Sequence, residues 1–189
     1  LDLVIRGGTL IDGTGASRAS ADVGIRDGLI EAVGRVAERG RREIDASGLL
    51  LTPGLVDVHT HFDGQVTWEP LLSPSCWLGV TTVVMGNCGV GFAPVRPEDR
   101  GYLIGLMEGV EDIPGTALAE GIRWEWESFP EYLDAIERRR FAVDVGAQVP
   151  HGALRAYVMG HRGADHTELP EAHEIETMGR LVREAIDAG

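Results

Sequence analysis

The 189-residue chain contains no lysine: all 17 of its basic side chains are arginines. A P-loop, whose lysine reaches the phosphates, is therefore excluded within this segment, and so is any metal ligand derived from a lysine. Positive charge is scarce besides, since those 17 arginines face 30 acidic residues and the net charge is −13. Without a broad basic surface the chain is not built to hold a phosphate backbone, and nucleic acid is not an expected partner. No apolar run approaches the roughly 20 residues that cross a bilayer. The first residues do not form a basic stretch ahead of an apolar one, so the expectation is a cytoplasmic protein with no membrane partner. Two cysteines, Cys76 and Cys88, are too few for a secreted disulfide framework. In a reducing compartment such residues are either buried or chemically employed.

What remains is an ordinary globular composition, 43% hydrophobic and 25% charged, which excludes disorder as the default. Over residues 1–52, short apolar runs alternate with turn pairs such as Gly7-Gly8, Asp12-Gly13, Asp27-Gly28 and Ser47-Gly48. This spacing predicts a small antiparallel β unit that is too glycine-rich to bury much by itself. From residue 53 the texture changes. Continuous apolar runs at 55–58, 79–85 and 141–147 predict strands buried on both faces, as in a parallel sheet covered by helices. Ser128 and Pro130 open a helix over 129–140, and helical spacing returns over 170–188. The pattern is βα repetition, expected of an α/β barrel or a doubly wound sheet. A closed eight-stranded barrel takes about 250 residues, whereas three barrel strands are legible here. Either the chain is part of a longer protein or the barrel reading fails.

Chemistry concentrates after the first two of those strands. His59 and His61 flank Thr60, and side chains two apart on extended backbone share one side, about 6.6 Å apart along the chain. Both imidazoles can then meet one ion, although a His-x-His pair also arises by chance. Its place at the C-terminal end of a barrel strand, where barrel enzymes keep their active sites, favours metal. The run Gly86-Asn87-Cys88-Gly89-Val90-Gly91 follows the second strand and reaches the same end. Cys88 is open to two readings: a thiolate ligand on a tight glycine turn, or a small buried side chain.

Together these stretches carry a resemblance. Pro53-Gly54-Leu55-Val56-Asp57-Val58-His59-Thr60-His61-Phe62-Asp63 resembles the first-strand signature of the amidohydrolase superfamily. The run from Gly79 through Met85-Gly86-Asn87-Cys88-Gly89 to Pro94 resembles the D-aminoacylase (N-acyl-D-amino-acid deacylase) branch. So do residues 107–114, Trp124-Glu125-Trp126 with Tyr132-Leu133, and His151-Gly152-Ala153-Leu154-Arg155. The resemblance implies a (β/α)8 TIM barrel, incomplete in this chain, over residues 53–189, with residues 1–52 as part of a small β-sandwich. It implies zinc as cofactor, His59 and His61 as the paired histidine ligands, and Cys88 in the place that many relatives give to a carboxylated lysine. The implied reaction is hydrolysis of a small-molecule N-acyl-D-amino acid to a carboxylate and a free D-amino acid. The catalytic aspartate and two further histidines of that branch match no position here. A hydantoinase-like or dihydroorotase-like activity on cyclic amides is the nearest alternative, and Cys88 argues against it. A non-catalytic binding or assembly module is the alternative of another class.

Other polar residues admit two readings each. His151 and Arg155 suit a substrate carboxylate or a structural contact. Asp63 either supports the histidines or caps the next element. Glu108, Glu111 and Asp112 form an acid/base set or a solvated helix start. Cys76 beside Trp77 reads as core, Trp124 and Trp126 as packing or covering a cleft, and His161, His166 and His173 as surface.

Overall fold

A computed structural model describes residues 1–111, 113–165 and 167–189. The readings made above for the Glu111 side chain, Asp112 and His166 lie outside what is described. The chain divides into two compact units, Leu1–Gly54 and Leu55–Gly189.

The first unit is a five-stranded sheet of β1 (Leu3–Leu10), β2 (Ala19–Arg26), β3 (Leu29–Gly34), β4 (Arg42–Asp45) and β5 (Leu50–Leu51). β2 and β3 join through Asp27 and Gly28 alone, at φ 50° and 78°. Two central residues of positive φ match the twist of a hairpin, which is why the Asp-Gly pair was legible as a turn. The antiparallel expectation holds for β1, β2 and β3, whereas β4 and β5 both run parallel to β1. Residues 35–41 carry the chain back across the sheet before β4, a crossover that turn pairs do not encode. The core here is small, Val4 with Leu1 and Val36, and Leu29, Ile30 and Val33 on β3 are exposed.

The second unit is built on three parallel strands in chain order, β6 (Leu55–Asp57), β7 (Val80–Met85) and β8 (Asp144–Ala147). The central strand is the buried one: Val83 and Met85 are inaccessible. Within this segment Leu55 and Val56 of β6, and Val58 just beyond, are exposed, where burial on both faces was expected. Among the described residues β6 pairs with β7 alone, and an apolar run cannot report how many neighbours a strand has. Between β6 and β7 the chain forms 3-10 turns at Gln65–Thr67 and Ser75–Leu78 rather than an α-helix. Pro70 and Pro74 interrupt that stretch, which explains the missing helix.

Between β7 and β8 lie α1 (Arg100–Glu111), α2 (Gly115–Gly121) and α3 (Phe129–Glu137). α3 opens as expected at Ser128, whose hydroxyl accepts from the Glu131 N–H while the Glu131 carboxylate accepts from the Ser128 N–H. It stops at Glu137, short of residue 140. α4 (His151–Met159) and α5 (Ala172–Ala188) follow β8, and α5 starts on a Glu171/Glu174 capping box two residues later than the periodicity suggested. Tyr132 and Phe129 of α3 bury against Trp126, Phe92 and Met85 in the main core. No helix among the described residues is long and apolar enough to cross a membrane.

Candidate metal centre

Residues 59–61 run on from β6 alongside the end of β7, and a set of hydrogen bonds fixes their path. The Asp57 carboxylate accepts from the His59 N–H at 3.2 Å, and the Thr60 N–H donates to the Val84 carbonyl at 2.9 Å. The Thr60 hydroxyl donates to the same carbonyl at 2.8 Å. Cys88 sits on a 3-10 turn directly after β7, with its own φ at 55° and that of Gly86 at 82°. A non-glycine residue in the left-handed region is uncommon and collects at functional sites.

The two segments converge. The His59 Nε2 is 3.1 Å from the Cys88 Sγ, and the His59 and His61 rings stand 5.5 Å apart at 64°. One donor atom from each of His59, His61 and Cys88 lies within 4.8 Å of the others. Donors bound at about 2.0–2.3 Å to one tetrahedral zinc stand roughly 3.3–3.8 Å apart. Side-chain adjustments of less than about 1.5 Å would therefore seat an ion among them. The chemistry of the set fits as well, since imidazole and thiolate are zinc's preferred ligands. His61 is half-buried, and burial, followed by the nearby His59, pushes its pKa below the ordinary histidine value. The neutral, metal-ligating imidazole is favoured by that shift.

Two residues after His61 lies Asp63, 2% exposed. Burial lifts its carboxyl to about 7, against the opposing pull of the Gly86 N–H. Its backbone carbonyl accepts from the Tyr132 hydroxyl at 2.9 Å, which ties the loop after His61 to α3. Asp63 caps none of the described helices, and its carboxylate meets the Gly86 N–H at the turn before Cys88.

Arg155, Glu108 and Trp126 make structural contacts. Arg155 is buried and meets backbone carbonyls, with Nε donating to Gly163 at 3.3 Å and Nη2 to Asp165 and Glu168 at 3.0 and 2.9 Å. It binds down the loop after α4, and we expect Arg155→Met to cost about 2 kcal/mol in denaturant unfolding while leaving metal affinity unchanged. A tenfold or greater loss of metal affinity would instead restore a role at the site. The Glu108 carboxylate accepts from the Gly115 N–H at 2.9 Å, at the start of α2. Trp126 is core, its indole N–H donating to the Phe92 carbonyl at 2.7 Å. Cys76 is half-buried against the core, Trp77 beside it is exposed, and His151, His161 and His173 are exposed. Asn87, Gln148, Asp57 and Thr60 escaped the sequence reading; only the adjacency of Asn87 to Cys88 and of Thr60 to the histidines could have flagged two of them.

Fold and donor set define the class, an α/β protein with a candidate transition-metal centre at the C-terminal ends of adjacent parallel strands. The chain belongs to the amidohydrolase family, whose profile matches residues 42–188. It is similar over its full length to the D-aminoacylase of Alcaligenes xylosoxydans xylosoxydans, at 36% identity over 189 residues, covering 36% of that enzyme. Among solved structures, a crystal structure of D-aminoacylase described as defining a novel subset of amidohydrolases superposes with a TM-score of 0.80 at 36% identity, covering 100% of this chain and 37% of that one. The N-acyl-D-glutamate deacylase of Bordetella bronchiseptica, complexed with zinc and a phosphonate mimic of the tetrahedral intermediate, gives 0.78 at 36% identity over 99% of this chain and 36% of its own. The chain thus spans about a third of the length of the relatives it matches.

Proposed function

We propose that this chain is the N-terminal portion of a zinc-dependent hydrolase that removes the acyl group from N-acyl-D-amino acids in the cytoplasm. In this reading residues 53–189 supply the first three βα units of a (β/α)8 barrel and residues 1–52 part of a β-sandwich. The observation that carries it is the meeting of His59, His61 and Cys88 at one end of a parallel sheet, in a chain 36% identical throughout to a D-aminoacylase.

His59, His61 and Cys88 would hold the zinc. Bound there, zinc would supply Lewis acidity towards the amide carbonyl and acidify a water molecule. The protein's own contribution in this segment is positional. Thr60 and Asp57 hold the two imidazoles on one side of the chain, the low pKa of His61 keeps its nitrogen available, and Asp63 and Tyr132 brace the loop below. Cys88 would supply a thiol in the place that a lysine-derived ligand takes in other relatives, and this segment offers no lysine of its own.

The test is an assay of the intact polypeptide, as its source makes it, against an N-acetyl-D-amino acid, its L-enantiomer and a hydantoin. Expected is chelator-sensitive release of the D-amino acid, with far slower turnover of the other two. Preferred turnover of the hydantoin would move the protein to the cyclic-amide hydrolases. No metal-dependent turnover on any of them would leave a binding or assembly module.

A further inference from the structure

The side chain of Asn87 joins the ends of all three parallel strands. Its amide N–H2 donates to the Thr60 carbonyl at 3.2 Å and to the Val84 carbonyl at 2.9 Å. Its Oδ1 accepts from the Gln148 Nε2 at 3.0 Å. Thr60 stands between His59 and His61 beyond β6, Val84 belongs to β7, and Gln148 follows β8 directly, with its N–H on the Met85 carbonyl at 2.9 Å. Three of the four hydrogen-bonding positions of one primary amide are therefore used, each on a different strand end. Asn87 is also the immediate neighbour of Cys88.

We infer that Asn87 is a positioning residue that sets the distance and orientation of the His59/His61 pair relative to Cys88. This rests on the reading of those three residues as metal ligands. The physical argument is one of geometry. The donors come from two separate segments, 27 to 29 residues apart. The backbone of each can slide relative to the other unless something spans them, and metal sites lose affinity when their donors are not held in place. The Thr60 hydroxyl and N–H fasten the histidine segment to Val84, but neither touches the cysteine turn. Among the described residues, Asn87 is the side chain that reaches from the cysteine turn to the histidine segment's backbone while Gln148 holds its other end. A side chain without both donor and acceptor cannot do this: alanine reaches nothing, and a carboxylate would turn oxygens towards two carbonyls.

The experiment is a cobalt(II) titration of the metal-depleted intact protein, comparing wild type with Asn87→Ala and Gln148→Ala. Affinity is read by competition with a chelator, and geometry by the thiolate-to-cobalt charge-transfer absorption; unfolding of each metal-free variant is measured in parallel. Asn87→Ala is expected to lose about 10- to 100-fold in cobalt affinity, with a weakened charge-transfer band. Gln148→Ala, which removes one exposed side-chain bond and keeps the backbone bond to Met85, is expected to show a smaller loss in the same direction. A merely structural role would lower the unfolding midpoint of the metal-free protein and leave the affinity and spectrum of the folded fraction untouched; that result overturns the inference. Should Asn87→Ala not fold, an unchanged Gln148→Ala affinity and spectrum overturns it equally. Wild type that binds cobalt without a thiolate band would sink the metal-ligand reading itself, and this inference with it.

Discussion

A Cys88→Ser protein is expected to bind zinc more than about 100-fold more weakly than wild type, because it loses a ligand where loss of a mere supporting contact already costs 10- to 100-fold. The two side chains differ by one atom, so the fold has little to notice. Cys88 is exposed, its turn is held by backbone and Asn87 contacts, and serine carries no greater penalty at φ 55°. What changes is the donor. A ligand must shed its proton, which a thiol does near neutral pH and a hydroxyl does not. His59 and His61 would remain as a two-nitrogen site of low affinity. Zinc content after dialysis against a buffered chelator, with chelator-sensitive hydrolysis assayed alongside, is the measurement. Full zinc occupancy in the serine variant would show that Cys88 is not a ligand, and the proposed function would lose its distinguishing residue.

Gly86→Ala is expected to destabilise the protein by about 3 kcal/mol or more, a large effect for the smallest substitution available. At φ 82° an L-residue with a Cβ already costs about 1–2 kcal/mol. The added methyl would overlap the Gln148 carbonyl oxygen and stand 2.9 Å from its carbon and 3.0 Å from its nitrogen. All three atoms are backbone, so no rotamer change relieves the clash. The segment after β8 must move, and its bond to Met85 at 2.9 Å goes with it. Denaturant midpoints at constant slope would report the loss. A change below about 1 kcal/mol would mean that the β7 and β8 ends are far more pliant than their packing indicates.

Much of this site could be read from the sequence because its donors are local features. His-x-His after an apolar run and Gly-Asn-Cys-Gly after another each place chemistry at a strand end without any knowledge of the partner strand. The same holds for Asp27-Gly28 and for Ser128, whose turn and cap depend on residues no more than three away. What escaped depends on distant neighbours. Gln148 meets Asn87 across 61 residues, and nothing in the spacing of either foretells the other. Arg155 looked available to a carboxylate because its charge is legible, whereas the carbonyls of residues 163, 165 and 168 that occupy it are not. The exposure of Leu55 and Val56 was hidden for the same reason: apolarity records what a side chain prefers, and burial depends on which strand lies beside it.

The order of the second sheet has a consequence for how the protein is made. β6, β7 and β8 pair as neighbours in the sequence in which they leave the ribosome, and the donors and their braces all fall between residues 57 and 148. The contacts close loops of 29 and 61 residues, and both ends of each lie within this span. Once Gln148 has left the ribosome, His59, His61, Cys88 and every brace described for them are outside it together.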